Sequence, residues 1–310
     1  MTNVFMITAE KILSLMCFFA IGFVIARKKL LADDAPQTLS RLLTLVFCPA
    51  LTLNGMASNL NRATIRANVG LLLTSSVVIL VGTVVSRPLN KRLSRGDADL
   101  RSILDYNLLY TNFGYIGYPM ILGIFGEAAL SRFLLYAVPI SISVTFYGRL
   151  VVEGKKELSL RFLLNPLSLS MFLGLLIGAL EIPLPGVVTD VLSSAGGCTG
   201  PVSMLVSGMV LSRVDLRRCF MDWRNYLFTA LRLMILPLIA MAIMLPLGVR
   251  GESLLFTGVF LCLPFGSNPI VFREALGMDT QKAAGMTLVS YLLSLITVPL
   301  MFTLFESCMG

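Results

Sequence analysis

Apolar runs of about twenty residues, the length of a membrane-spanning helix, recur along the whole chain of 310 residues. A bilayer core of about 30 Å takes about 20 residues of helix to cross, so each run predicts one span. Only helices and closed barrels satisfy their backbone in lipid, and runs such as SLSMFLGLLIGAL do not alternate as barrel strands do. We therefore predict an all-helical integral membrane protein with ten spans, at roughly residues 6–26, 38–57, 68–86, 102–125, 128–150, 162–181, 189–212, 224–246, 253–276 and 283–305.

The amino-acid composition excludes several other classes of protein. Hydrophobic residues make up 56% of the chain and charged residues only 14%, whereas soluble domains carry about 25% charged residues. The net charge of +8 does not predict a nucleic-acid partner, because too little polar surface remains for a cationic patch. The chain has no histidine, and its six cysteines show no C-x-x-C spacing. We expect no metal site, no cofactor and no enzymatic activity.

Positive charges concentrate in alternate loops. Nineteen of the 25 lysines and arginines lie in the first, third, fifth, seventh and ninth connections between the predicted spans or at the adjoining ends of those spans. Cytoplasmic loops carry such an excess, so these connections are predicted to be cytoplasmic and both termini to lie on the outer side. The loops are too short for a soluble domain, which predicts a single membrane domain. We expect this domain to lie in the cell (inner) membrane.

Two pairs of spans share a pattern of proline and glycine. Span 4 contains TNFGYIGYPMILGIFG and span 9 contains LPFGSNPIVFREALG, so in both an FG pair precedes a proline and a closing glycine, Gly126 or Gly277. In spans 2 and 7 a proline precedes a Gly-Met pair. Matching spans lie five apart, and because five is odd the second half enters the membrane from the opposite face. The sequence therefore predicts a 5+5 inverted repeat, residues 1–153 and 154–310, as in many secondary transporters.

Spans 4 and 9 are expected to be broken helices that meet near the membrane midplane. Pro119 and Pro269 each remove a backbone donor and clash with the preceding turn. Unwound backbone is tolerated in lipid only where it faces a polar cavity or a substrate. The N-terminus of each second half-helix carries about half a positive charge, and the amides of two asparagines add donors, which together suit a carboxylate. The predicted substrate-binding residues are Asn112, Phe113, Gly114, Tyr118, Pro119, Pro264, Gly266, Ser267, Asn268 and Pro269.

Charged residues within the spans are candidates for coupling or gating, because ionisable groups in a membrane are costly and usually face a cavity. Asp105 is either a proton carrier or an interface charge paired with Arg101. Arg273, followed by Glu274, is either a partner for an anion, a cytoplasmic gate, or a side chain that extends to the headgroups. Arg232 lies well inside span 8, where it is expected to pair with an acid or to bind substrate.

The stretch NFGYIGYPMILGIFGEAAL resembles the fourth-span signature of the auxin efflux carrier family of permeases. Asn165-Pro166, which open span 6, resemble the start of that family's second repeat, and span 9 resembles its counterpart more loosely. The resemblance covers nearly the whole chain. It implies a 5+5 fold whose broken helices 4 and 9 cross at their prolines, and transport of organic anions, dicarboxylates in bacterial members and auxin in plant members. The short central loop EGKKELSLR favours a bacterial permease.

Residues and resemblance together favour a secondary transporter that moves a small organic anion, a carboxylate, across the lipid bilayer by alternating access. No G-x-x-x-x-G-K-[ST] motif is present, so ATP is not the expected energy source. Coupling to protons, coupling to sodium, and assembly as a homodimer all stay open. A sodium-coupled bile-acid-type anion symporter is the nearest alternative. An intramembrane enzyme or a receptor is a more distant one, because Asp33-Asp34 is the only adjacent acidic pair and no signalling domain is attached.

Overall fold

A computed structural model of the chain describes residues 2–148, 150–151 and 164–308, which fold almost entirely into helices. We number the main helices in chain order. They are α1 Thr2–Arg27, α2 Ala35–Asn59, α3 Val69–Leu93, α4 Ala98–Asn107, α5 Phe113–Phe125, α6 Glu127–Gly148, α7 Pro166–Ala179, α8 Gly186–Leu211, α9 Trp223–Met244, α10 Gly251–Cys262, α11 Asn268–Ala275 and α12 Gln281–Ser307. Two short helices, Arg62–Ala67 and Leu216–Met221, lie between them.

Seven of the described helices are long and apolar enough to cross a membrane, namely α1, α2, α3, α6, α8, α9 and α12. They correspond to predicted spans 1, 2, 3, 5, 7, 8 and 10. Predicted span 6 is helical as α7, but its predicted start at residue 162 and the repeat boundary between 153 and 154 lie outside the described residues. The described chain is therefore that of an all-helical membrane protein with seven candidate spans.

Predicted spans 4 and 9 are each divided into two helices. Residues 108–112 separate α4 from α5, and residues 263–267 separate α10 from α11. The break in span 4 lies before Phe113 and not at Pro119, the proline from which the sequence predicts it. Pro119 instead sits inside the second half-helix, while Pro269 is the second residue of α11. Pro269 is tolerated there because a missing N–H costs nothing in the first turn of a helix, where the donor has no partner.

Prolines also explain three wide turns within the helices. The π-helical turns Leu43–Phe47, Phe113–Gly117 and Leu231–Ile235 are each followed two residues later by a proline, at positions 49, 119 and 237. A proline ring clashes with the carbonyl four residues earlier, and a π turn relieves that clash by widening the helix locally. One of these turns begins α5 and another contains Arg232, so the prolines shape the backbone at two predicted site positions.

Glycines set the distance between two pairs of helices. A Cβ atom on Gly22 of α1 would lie 2.1 Å from the carbonyl oxygen of Leu205, and one on Gly208 of α8 would lie 2.0 Å from that of Phe19. Gly178 of α7 approaches the end of α2 in the same way, with its Cβ position 2.9 Å from the carbonyl oxygen of Leu60. Small residues permit such close approach of membrane helices. Gly196 of α8 connects the two pairs, because its Cβ position lies 3.0 Å from the Cα of Leu51 on α2. We call α1, α2, α7 and α8 the first helix group.

The remaining helices pack around α10 and α12. Helix α12 contacts α9 and α10, and α3 contacts α6 and α10. Gly258 of α10 lies so close to the ring of Phe305 on α12 that a Cβ would fall 2.3 Å from it. Both divided segments, α4–α5 and α10–α11, belong to this second helix group. The two groups meet where α1 packs on α12 and where α2 packs on α6.

Candidate functional site

The breaks at 108–112 and 263–267 lie against each other, and we call these two segments the crossover. Thr111 and Phe265 form an isolated antiparallel β-bridge. The backbone N–H of Asn112 donates to the carbonyl oxygen of Pro264 at 3.0 Å, and the hydroxyl of Thr111 donates to that of Phe260 at 3.1 Å. Each break thus supplies partners for backbone groups that the other leaves unpaired, as buried backbone requires.

Helices α5 and α11 both begin at the crossover. Asn112 is the N-terminal cap position of the first, and Ser267 is that of the second. Helix N-termini carry unpaired N–H groups and a partial positive charge. The crossover therefore gathers two helix ends with the polarity that binds an anion. Gly126 and Gly277, predicted to close these half-helices, have φ angles of 82° and 67°, which glycine adopts without strain.

Both predicted asparagines hydrogen-bond to buried tyrosines. The amide nitrogen of Asn112 donates to the hydroxyl of Tyr291 on α12 at 2.6 Å, and that of Asn268 donates to the hydroxyl of Tyr106 on α4 at 2.7 Å. Tyr106 and Tyr291 are 1% and 0% exposed. In this conformation the acceptor of each amide N–H is therefore a tyrosine hydroxyl. An anion at the crossover would have to replace that hydroxyl as the acceptor.

Aromatic rings form one wall of the crossover. Phe113 packs edge-on against Tyr118 and against Phe260, with ring centroids 5.8 Å apart in both pairs. The side chain of Tyr118 is 1% exposed. A Cβ atom on Gly114 would meet only the edge of the Tyr118 ring, at 4.0 Å. The predicted residues Phe113, Gly114 and Tyr118 therefore lie together at the start of α5.

The other predicted residues lie at the same place. Pro264, Gly266 and Pro269 are buried, and Ser267 is 8% exposed. The Cβ position of Gly266 lies 3.6 Å from the carbonyl oxygen of Thr111, so the two backbones are in van der Waals contact there. Pro119 lies further along α5 and contacts α8, where its Cβ is 3.1 Å from the Cβ position of Gly200. Pro119 thus faces the first helix group rather than the crossover backbone.

Arg232 is fully buried at the crossover. Its Nη1 donates to the carbonyl oxygen of Leu108 at 2.8 Å, and its Nη2 donates to that of Phe260 at 3.3 Å. The guanidinium also lies over the ring of Phe260, 5.5 Å from its centroid, while its Nε has no partner. Within the described residues Arg232 forms no ion pair with a carboxylate. Its partners are backbone carbonyls and not an acid, which was one of the two expectations for this residue.

Arg273 joins α11 to α4. It is 1% exposed, and its Nη2 lies 3.2 Å from a carboxylate oxygen of Asp99. Its Nε donates to the carbonyl oxygen of Asp279 at 2.7 Å, and its Nη1 lies 3.4 Å from the hydroxyl of Ser102. A buried side chain with these partners does not extend to lipid headgroups, which was one of the expectations. Arg273 instead holds the two divided segments together beyond the crossover.

Glu274 and Asp105 make weaker contacts. Glu274 lies 3.5 Å from Nη1 of Arg213, and both side chains are more than 40% exposed. This pair links the second helix group to the loop after α8, and Arg213 also donates to the backbone carbonyl of Asp33. Asp105 accepts from the amide of Asn90 at 2.8 Å and lies 3.8 Å from Arg101. The expected Arg101 contact is present, and the stronger hydrogen bond is to a neutral amide.

Asp97 begins α4 outside the predicted spans. Its carboxylate accepts from the backbone N–H of Leu100 at 3.0 Å and pairs with the ammonium of Lys282 at 2.5 Å. The hydrogen bond from the Leu100 N–H is the main cause, and the contact with Lys282 the second, that lowers the pKa of Asp97 below its ordinary value of 3.8. Together with the Arg273–Asp99 pair, this contact connects the start of α4 to α11 and to the start of α12.

Four residues at the crossover were not predicted from the sequence, namely Tyr106, Thr111, Ser290 and Tyr291. The hydroxyl of Ser290 accepts from the N–H of Phe265 at 3.2 Å. Tyr291 and Ser290 lie in the continuous helix α12, whose glycine and proline, Gly285 and Pro299, are five or more residues away and do not interrupt it. The only available signal was general, because a buried tyrosine usually finds a hydrogen-bond partner. A cavity of about 230 Å³ lies elsewhere, beside Arg27, Lys29 and Arg213, and not at the crossover. The side chains of Tyr106, Phe265 and Tyr291 at the crossover are at most 1% exposed in this conformation.

Comparisons with known proteins identify the family of the chain. The model of a family described as membrane transport protein matches residues 7–158 and 148–302. An uncharacterized transporter from Methanothermobacter thermautotrophicus is 25% identical over 304 residues, which cover 96% of this chain and 98% of the relative. The match spans both divided segments and the helices around them. The chain is a multi-pass membrane transporter, and it belongs to the membrane transport protein family of auxin efflux carrier type.

Proposed function

We propose that this protein is a secondary active transporter of small organic anions, with carboxylates as its substrates, and that the crossover binds them. The observation that carries the proposal is that α5 and α11 begin side by side at two breaks joined by the Thr111–Phe265 bridge. Two helix N-termini with nearby amide donors are chemically matched to a carboxylate. The fully buried cation of Arg232 adds to the attraction for an anion.

The architecture we propose around this site is ten spans in two inverted repeats of five. The seven long helices, α7, and the two divided segments together supply ten segments in the predicted order. The charge of the connecting loops favours both termini on the outer side of the inner membrane. In this arrangement each repeat contributes one divided segment, as in transporters that bind substrate at the interface of inverted repeats.

Alternating access follows from the two helix groups. The first group, α1, α2, α7 and α8, is tied together by glycine contacts and would stay fixed. The second group carries the crossover and would move against it. Helix α5 is a further contact between them, because the hydroxyl of Ser203 on α8 donates to the carbonyl oxygen of Tyr115 at 3.2 Å. Such a sliding surface exposes the crossover first to one side of the membrane and then to the other.

Proton coupling through Asp105 is the coupling mode that we propose. The carboxylate lies one turn before the crossover, on α4, and its neutral partner Asn90 accommodates it in either protonation state. Asp105→Asn should leave exchange of substrate down its own gradient intact and should remove the response to an imposed pH gradient. A retained response in this variant would exclude Asp105 as the carrier.

The experiment that tests the function is uptake into liposomes reconstituted with the purified protein. Labelled succinate, malate, acetate and indole-3-acetate, offered one at a time under imposed pH, sodium and voltage gradients, cover mono- and dicarboxylates. We expect at least one to accumulate, and Asn112→Ala and Asn268→Ala to reduce that uptake by about a hundredfold if each amide contributes about 3 kcal/mol. Asn68→Ala, which removes an amide bound to the carbonyl of Thr64 outside the crossover, is the matched control. Full uptake by both crossover variants would overturn the assignment of the site.

A further inference from the structure

The carbonyl ends of α4 and α10 meet at one side chain. Leu108 is the C-terminal cap residue of α4, and Phe260 lies in the last turn of α10. The carbonyl oxygens of both accept from the guanidinium of Arg232. A helix C-terminus carries about half a negative charge, so two such ends together offer about one negative charge to the single positive charge of Arg232.

In transporters with broken helices, unwound carbonyls and the C-terminal ends of half-helices are the groups that hold a coupling cation. In this protein a side chain already supplies a cation to those groups. We propose that Arg232 is a built-in cation that takes the position of a coupling metal ion at the crossover, so that transport is independent of sodium. This inference rests on the proposed function, because it assumes that transport occurs at the crossover.

Arginine suits this role for reasons of shape and charge. Its guanidinium stays protonated and presents donors in a planar fork, which here reaches two carbonyls on different helices at 2.8 and 3.3 Å. A buried charge is costly unless it is well compensated, and the ring face of Phe260 adds to the compensation. The π turn Leu231–Ile235 gives the backbone the local geometry from which Arg232 reaches both helix ends.

The position also explains why the arginine does not need an acid. The two carbonyl ends balance its charge in the absence of substrate, whereas a carboxylate within 4 Å would compete with an anionic substrate for the same cation. Among the described ion pairs Arg232 has no such competitor. A sodium ion placed beside it would experience direct repulsion in a low-dielectric site. The fixed charge therefore both replaces a metal cation and excludes one.

The first test uses the wild-type protein in detergent and needs no knowledge of the substrate. We expect its melting temperature to be the same in sodium chloride and in choline chloride at equal ionic strength. In reconstituted liposomes an inward sodium gradient should leave uptake of the carboxylate probes unchanged. Stabilisation by sodium over choline, or uptake driven by sodium, would overturn the proposal.

The second test restores the missing cation chemically. Arg232→Ala should lower the melting temperature by about 5 °C or more, and about 10 mM ethylguanidinium should recover at least half of that loss by binding in the vacated space. Arg132→Ala is the matched control, because Arg132 is a partly exposed arginine that pairs with Glu252 at 2.7 Å. Its melting temperature should not respond to ethylguanidinium. A folded Arg232→Ala that shows no recovery would contradict the proposal.

Two further results separate this inference from the proposed function. If Arg232→Ala does not yield folded protein, the sodium comparison on the wild type decides alone. If no carboxylate is taken up under any gradient, the proposed function fails, while the sodium and ethylguanidinium melting results still report on the cation at the carbonyl ends. Arg232→Lys keeps the charge but not the fork, so it should melt between the wild type and Arg232→Ala and stay insensitive to sodium.

Discussion

Asn112 on one divided segment donates its side-chain amide to the hydroxyl of Tyr291 on α12, at 2.6 Å, and both groups are buried. The contact occupies the amide that is proposed to bind substrate. Substrate bound to this amide, as proposed, would displace the phenol and so affect the contact of α12 with the crossover. The equivalent contact on the other segment is that of Asn268 with Tyr106, at 2.7 Å.

Removing either hydroxyl should impair transport more than it impairs folding. Tyr291→Phe and Tyr106→Phe each leave one buried amide donor without its partner, which costs about 1–3 kcal/mol. We expect a moderate drop in melting temperature and a loss of carboxylate uptake of about tenfold or more, because the amide loses its orientation. Tyr226→Phe, on an exposed tyrosine of α9, should change neither quantity. Normal uptake by both crossover variants would show that the phenols only fill space.

Breaking the Arg273 pair should destabilise the protein. Arg273→Gln leaves the carbonyl of Asp279 and the carboxylate of Asp99 without their cationic donor, and the cost should be about 2 kcal/mol because the arginine side is buried while Asp99 is half exposed. Thermal melting in detergent measures this. Arg273→Lys should recover part of the loss. Arg218→Gln, which removes an exposed pair with Asp215, serves as control and should melt like the wild type.

A methyl group at Gly208 should force α1 and α8 apart. The added Cβ would lie 2.0 Å from the backbone carbonyl oxygen of Phe19, and backbone cannot move aside as a flexible side chain can. We expect Gly208→Ala to cost about 3 kcal/mol or more, seen as lower folded yield and a lower melting temperature. Gly70→Ala, at a helical glycine with open space around it, should be neutral or slightly stabilising. Equal melting of the two variants would refute the close contact.

The cap of α4 should give the protein an acid-sensitive contribution to stability. The pKa of Asp97 is lowered below 3.8 in the folded protein. Its carboxylate therefore contributes its full stabilisation at pH values above the pKa of the unfolded chain, and this stabilisation is lost as the pH falls through the lower pKa of the folded protein. The melting difference between wild type and Asp97→Asn should therefore stay constant from about pH 7 to pH 5 and shrink below about pH 4. A difference that already shrinks between pH 7 and pH 5 would contradict the lowered pKa.

The helices and the two breaks were predictable because their causes are local. Length and hydropathy fix a membrane helix, and proline with glycine marks where it is interrupted. The sequence places the break in span 4 a few residues late, since Pro119 takes a position within the second half-helix instead of at the break. Such a shift depends on which carbonyls find partners across the crossover, and this is a tertiary property.

The partners of Arg232 were not predictable for a related reason. Leu108 and Phe260 accept through their backbone carbonyls, and every residue has a carbonyl, so no residue type marks the acceptor. Tyr291 is similar, because it lies far along the chain from Asn112 in a run without any break. Asn112 and Asn268, in contrast, stand beside prolines and glycines, and the structure brings both to the crossover.

The Thr111–Phe265 bridge and the Asn112 to Pro264 hydrogen bond connect the backbones of the two halves of the chain at the crossover. Two strands of backbone joined in this way cannot shift independently without exposing unpaired amides to a dry interior. An anion bound at the crossover would therefore contact both backbone segments at the same time, and both would move with it. The transport cycle would then contain no state in which only one of the two segments binds the anion. The backbone contacts would thus prevent the anion from leaking through an incomplete binding site.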